Sequence, residues 1–244
     1  MKPFLIFQIR GVKEVSDSEF LAILKYGGLD ITEVVRIDLS KGVFPKIDLS
    51  DYSGIIIGGG ASNVSDTEDK KSALQIRYEE YLVALMDQVI DNDFPYLGAC
   101  YGLGILGLQQ KVKVGTEKYG EKPGAATMML TEEGKKDKLL QNFPETFRTF
   151  LGHKESWQSC PFNAKLLVSS KDCPVHMVRI KNNVYATQFH PELDFEGVKL
   201  RAEIYKNYGY FKPEEVNEII QTAKQENIVY PMKILKNFVN TYRK

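Results

Sequence analysis

The chain has 244 residues, 43% hydrophobic and 26% charged, enough to bury an ordinary core in one domain or at most two small ones. Lys plus Arg equals Asp plus Glu, at 32 each, so the composition gives no electrostatic footprint for nucleic acid or an anionic membrane. No apolar run approaches the ~20 residues of a membrane span. The N-terminal MKPFLIFQIRGVKEV is apolar only briefly before Gln8 and Arg10, so it reads as a first strand, not a secretion signal.

The first half alternates strand and helix signals. Residues 4–9 (FLIFQI) are strand-like. Ser16, Asp17 and Ser18 offer N-caps for a helix running towards Tyr26, and Gly27-Gly28 is its expected stop. Residues 31–39 predict a second strand. Residues 53–60 (SGIIIGGG) predict a short, continuously apolar strand ending in three glycines, as in a parallel sheet covered on both faces. An amphipathic helix over 74–90 follows, and then the buried strand FPYLGAC. Strands alternating with helices predict an α/β fold with a mostly parallel central sheet.

Residues 111–190 change character. They hold short β-like runs, ATMMLT, TFRTFL, KLLVSS, PVHMVRI and NVYATQFH, which predict a smaller antiparallel portion. A hairpin is expected around Lys181-Asn182-Asn183, because Asn tolerates left-handed turn positions. Residues 196–244 are expected to form a helical C-terminal cap, with helical spacing over 214–226 and 234–239 and breaks near Gly209 and Pro231. With no Pro/Gly/Ser-rich linker, residues 1–244 read as one domain.

Three cysteines, Cys100, Cys160 and Cys173, form no disulfide framework and suggest reduced thiols in the cytoplasm. The spacing Cys160-x12-Cys173-x2-His176 lacks a paired C-x2-C, so no metal is expected. Cys160 and Cys173 read as small buried hydrophobes.

PYLGACYGLGILG (95–107) holds two overlapping motifs. Gly98-Ala99-Cys100-Tyr101-Gly102 is a cysteine version of the nucleophile elbow, in which a strand turns sharply into a helix and small residues flank the nucleophile. A thiol at a helix N-terminus also favours the attacking thiolate. Gly102 to Gly107 instead has the dinucleotide form G-x-G-x-x-G. That fingerprint normally opens its βαβ unit, whereas this would be about the fourth strand, and no acidic strand end follows about twenty residues later. Gly115 to Gly120 is a near miss for a phosphate loop, since Glu121 replaces the lysine. No cofactor is expected.

A cysteine nucleophile needs a base and a group to orient it. His190 ends a strand-like run and precedes Pro191-Glu192. Residues i and i+2 can face the same way, so Glu192 can hold the His190 ring. The glycine turn 58–60 ends an earlier strand and exposes N–H donors for an oxyanion, with Tyr101 N–H as a second donor. Taken singly, each feature also suits an ordinary turn or strand end.

Together, IIIGGGASNVSD, PYLGACYGLG and YATQFHPEL resemble the class I glutamine amidotransferases of the Cys-His-Glu type. LTEEGKKDKLLQNFPETFRTFLGHKESW and LLVSSKDCPVHMVRI resemble the amidotransferase domain of GMP synthetase. The resemblance implies a flavodoxin-like fold, with Cys100 as nucleophile, His190 as base, Glu192 as its partner, and Gly59 and Tyr101 as oxyanion donors. It also implies that Gly104, His153, Lys154 and Glu155 lie where relatives bind the substrate's amino-acid end. The implied substrate is glutamine, and the implied partner is an ammonia-accepting synthetase; after residue 194 about fifty residues remain, too few for the ATP-dependent domain. Gly104 stands where the family usually has Gln, which is expected to open space, and Lys154 could meet an extra carboxylate. A γ-glutamyl peptide or conjugate hydrolase is therefore the alternative, and a non-catalytic binding or regulatory module the third reading.

Overall fold

The structure is a computed structural model, and it describes residues 2–208 and 211–244. In chain order the elements are β1 (Phe4–Gln8), α1 (Lys13–Gly27), β2 (Val34–Asp38), β3 (Gly54–Ile57), α2 (Ala73–Asp91), β4 (Tyr96–Ala99), α3 (Tyr101–Gln109), β5 (Val114–Gly115), β6 (Glu121–Leu130), β7 (Thr146–His153), β8 (Ser156–Trp157), β9 (Ala164–Ser169), β10 (Met177–Ile180), β11 (Val184–Thr187), α4 (Phe195–Tyr205), α5 (Val216–Lys224) and α6 (Tyr230–Tyr242). Nine strands form one sheet in the order β2-β1-β3-β4-β11-β10-β9-β6-β7, and β5 pairs with β8 separately. β2, β1, β3, β4 and β11 run parallel. The β11-β10-β9-β6-β7 half is antiparallel. The antiparallel portion is therefore a continuation of the central sheet.

The strands read as unbroken apolar runs because both faces are covered. Leu5, Phe7, Ile55 and Ile57 pack with Leu82, Leu85 and Met86 of α2 and with Leu103 and Leu106 of α3. Their alternates Phe4, Ile6, Ile56 and Leu97 pack with Phe20 and Ile23 of α1 and with Ile234, Leu235 and Phe238 of α6. Two-residue alternation thus divides one apolar strand between two cores.

Several boundaries differ from the sequence expectations. α1 starts at Lys13, so Ser16 and Asp17 lie in its first turns instead of capping it. Ser16 is buried beneath the sheet edge, where its hydroxyl accepts from Arg36. The C-terminal stop stands, with Gly28 at φ 65. Residues 31–33 form a 3-10 turn and the strand begins at Val34. Pro231 opens α6 instead of breaking it, since the first turn needs no N–H from that position. The break expected near Gly209 lies outside the described residues. β10 and β11 form the expected hairpin, with Lys181 at φ 50. Among the described residues no helix is long and apolar enough to cross a membrane.

Candidate functional site

Cys100 joins β4 to α3, with φ 51 and ψ −90. Such a conformation costs about 1–3 kcal/mol in a non-glycine residue, so the surroundings must hold it. Cys100 N donates to Thr187 O at 2.7 Å, and Tyr96 Oη donates to Gly102 O at 2.9 Å. A Cβ on Gly98 would stand 2.5 Å from that hydroxyl and 2.8 Å from the Gly102 carbonyl carbon, so the turn closes only over glycine.

The neighbouring strand delivers the imidazole. β11 runs parallel to β4 with Thr187 beside Ala99, so the segment after Thr187 leaves the sheet beside Cys100. Gln188 Nε2 lies 3.9 Å from Cys100 Sγ. Two residues on, buried His190 places Nδ1 2.9 Å from Glu192 Oε1. Glu192 Oε1 also accepts from Arg201 Nη2 at 2.8 Å.

Glu19, buried on α1, extends this network. Its Oε2 accepts from Arg10 Nε at 2.6 Å and Arg201 Nη2 at 3.4 Å, and its Oε1 from Gln8 Nε2 at 3.1 Å. Two arginines and two glutamates thus balance one another beneath His190. Buried ions need such pairing, because an unpaired charge is strongly destabilising. Gly59 N–H donates to Glu19 Oε2 at 3.3 Å. A side chain at Gly59 would collide with His190 Cε1 and stand 2.7 Å from Arg10 Nη2. Tyr101 N–H is the first amide of α3, and such amides have no acceptor within the helix. The Tyr101 hydroxyl is engaged by Glu79, which Lys71 Nζ meets at 2.6 Å.

The charges are arranged for a neutral resting pair. Burial, followed by the nearby Glu155 carboxylate, pushes the Cys100 thiol up to about 12. Desolvation thus opposes the stabilisation that the helix N-terminus gives the thiolate. Burial lowers His190 below the usual imidazole range, with Glu192 opposing this. Burial would raise Glu192, but His190 and Arg201 outweigh it and hold the carboxylate well below its ordinary value. Alkylation of Cys100 by iodoacetamide should consequently be slow at neutral pH and still rise above pH 9, because reaction follows the thiolate fraction. A plateau near the ordinary thiol value would contradict the resting thiol.

The other sequence-predicted residues divide. Glu155 is buried and its carboxylate accepts from Val64 N at 2.9 Å and Ser65 N at 2.8 Å. Gly104 is buried on α3, but the space beside it is filled: a Cβ would stand 2.9 Å from Val64 Cγ2 and 3.4 Å from Glu155 Oε1. The expected opening is thus occupied by Val64. Lys154 Nζ donates to Tyr208 O at 3.2 Å. His153 is buried, with Nδ1 2.9 Å from Glu155 O and Nε2 2.9 Å from Glu121 Oε2. It faces a separate polar cluster.

Sequence reading missed Arg10, Glu19, Gln188 and Arg201. Only the buried periodicity of α1 could have flagged Glu19, and the misplaced helix start hid it. A cavity opens against His190, lined also by Arg10, Arg201, Leu193, Val198 and Tyr205.

Comparison with known proteins gives one consistent assignment. The family model for glutamine amidotransferase class-I matches residues 23–199. A subunit of the glutamine-hydrolyzing GMP synthase of Thermoplasma volcanium is 26% identical over 178 residues, covering 72% of this chain and 77% of that protein. The glutamine-hydrolyzing GMP synthase of Brachyspira hyodysenteriae is 26% identical over 207 residues, covering 80% of this chain but 36% of that protein, so the match spans about a third of that longer relative. A glutamine amidotransferase structure from Thermotoga maritima superposes with TM-score 0.79 at 20% identity, covering 98% of this chain and 99% of that one. One from Methylobacillus flagellatus gives 0.72 at 15% identity, covering 100% and 96%. At such identities the structures establish the fold alone, an α/β sheet flanked by helices of the flavodoxin-like type. With the family model spanning more than half its length, the chain belongs to the class I glutamine amidotransferases.

Proposed function

We propose that the chain hydrolyses the γ-carboxamide of glutamine through Cys100, His190 and Glu192. The observation that carries this reading is the His190–Glu192 pair, 2.9 Å apart, on the strand extension beside the strained Cys100 turn. His190 Nδ1–H donates to Glu192, which leaves Nε2 as the lone-pair nitrogen. As Cys100 attacks, its proton passes to His190 Nε2 and the sulfur bonds to the carboxamide carbon. The oxyanion draws on Tyr101 N–H and on Gly59 N–H, the latter by releasing its long bond to Glu19. His190 then gives its proton to the amide nitrogen, the C–N bond breaks and ammonia leaves. Water attacks the γ-glutamyl thioester, His190 takes its proton, and glutamate departs with the thiol restored. Glu155, beside Gly104 and near Cys100, suits the substrate's α-ammonium.

Similarity to a GMP synthase subunit supports a separate synthetase as recipient of the ammonia. A second reading, cleavage of a γ-glutamyl conjugate, is favoured by the largely apolar cavity against His190, which is larger than departing ammonia needs. Product release from glutamine and from γ-glutamyl alkylamines by the purified chain separates them. Turnover of glutamine is expected; turnover of the alkylamines alone would replace the first reading with the second.

A further inference from the structure

His153, His176, Cys173 and Glu121 have no part in the proposed reaction, yet they converge. Glu121 and His153 are cross-strand partners at the ends of β6 and β7. Cys173 and His176 sit on the turn between β9 and β10. One ligand atom from each lies within 4.8 Å of all the others. The two histidines and the cysteine are buried, and Glu121 is largely so.

The hydrogen bonds inside the cluster leave a gap. His153 Nδ1 lies 2.9 Å from the Glu155 carbonyl, which can only accept, so Nδ1 carries the proton. In neutral His153, Nε2 then presents a lone pair, and it faces Glu121 Oε2 at 2.9 Å. His176 Nε2 approaches the same oxygen at 3.0 Å and lies 3.0 Å from Ser170 Oγ. Among the described residues His176 Nδ1 is fully buried with no hydrogen-bond partner, so no contact there fixes which nitrogen holds the proton. A proton on Nδ1 frees the Nε2 lone pair for the cluster. The four side chains thus bring a nitrogen of each imidazole, a carboxylate oxygen and a sulfur together at one buried place.

We propose that Glu121, His153, Cys173 and His176 bind a divalent transition-metal ion in a closed tetrahedral site, with Zn2+ as the ion its donors select. Two imidazoles, a thiolate and a carboxylate are the zinc donor set, and four protein ligands mark a structural site. The surroundings match that role. His153 donates its other nitrogen to a backbone carbonyl, the usual orientation of a metal-bound imidazole. Ser156 Oγ lies 3.2 Å from Cys173 Sγ and can donate to a thiolate there. The two Glu121–imidazole separations of 2.9–3.0 Å would widen to the ~3.3 Å edge set by bonds of about 2.0–2.1 Å, and all the donor atoms already lie within 4.8 Å of one another. Cys160 takes no part; its sulfur lies 3.8 Å from Pro161 O. On this proposal two of the four ligands come from strands β6 and β7, whose pairing a cysteine-spacing motif does not register.

The test is a Co2+ titration of the metal-stripped full chain, with Zn2+ as competitor. One Co2+ per chain is expected, with the visible bands of a tetrahedral site and a thiolate charge-transfer band. Cys173→Ser should abolish the charge-transfer band, and His176→Asn should weaken binding at least about tenfold. Cys100→Ala should leave both spectrum and stoichiometry unchanged. Absence of stoichiometric binding by the folded wild-type chain would overturn the site, whatever the variants do. So would a charge-transfer band that survives Cys173→Ser or disappears with Cys100→Ala.

Discussion

Replacing Cys100 with alanine is expected to reduce ammonia release from glutamine to the uncatalysed background while the protein stays folded. No other thiol can substitute. Cys173 is buried in the Glu121–His153–His176 cluster, and Cys160 is bonded near Pro161 and Ala164. Alanine keeps the Cβ in the strained turn and removes only the sulfur, so the Tyr96–Gly102 bond and the glycine contacts persist. Circular dichroism and the melting temperature separate a lost nucleophile from a lost fold. Wild-type turnover by a folded Cys100→Ala protein would remove the thioester from the mechanism.

The second large effect is at His190. His190→Ala removes the proton carrier for both halves of the reaction and should lower kcat/KM by about 10²–10⁴-fold. Glu192→Gln should cost less, because its amide oxygen can still accept from His190 Nδ1. Its effect is not confined to the ring, however. The network would then hold two buried arginines against one carboxylate, Glu19. Glu192 is the charge that raises His190 against desolvation, so its removal should move the acidic limb of the kcat/KM profile to lower pH. The sign follows directly: without the neighbouring anion the imidazolium is less stable and protonates only in more acid solution. Equal loss in both variants, with no shift of that limb, would show that Glu192 does more than orient and charge the ring.

The parts of the fold that were legible in the sequence are those that local pattern determines. β3 and β4 stand out as apolar runs because helices cover both faces, and the Cys100 turn stands out because its backbone closes only over small residues. His190 and Glu192 are legible because two residues of extended chain link them. The long-range charges are not. Arg201 meets Glu19 only because α4 packs against α1, across 182 residues of sequence. The filling of the Gly104 space depends on the approach of Val64, a loop residue whose amide is held by Glu155. His153 read as part of a substrate loop, but Glu121 becomes its neighbour only through the β6–β7 register. The apolar spacing of α6 read as a helix packing on the sheet, and Leu235 and Phe238 do lie in the core on one of its faces.

The central claim is that Cys100 carries the γ-glutamyl group. Acid quenching during turnover of glutamine labelled in its carbon chain, followed by peptide mapping, tests it most directly. Label bound to the Cys100 peptide, released by mild base and absent from Cys100→Ala, is the predicted result. Ammonia release by the wild-type chain with no label on that peptide, and undiminished in Cys100→Ala, would contradict it.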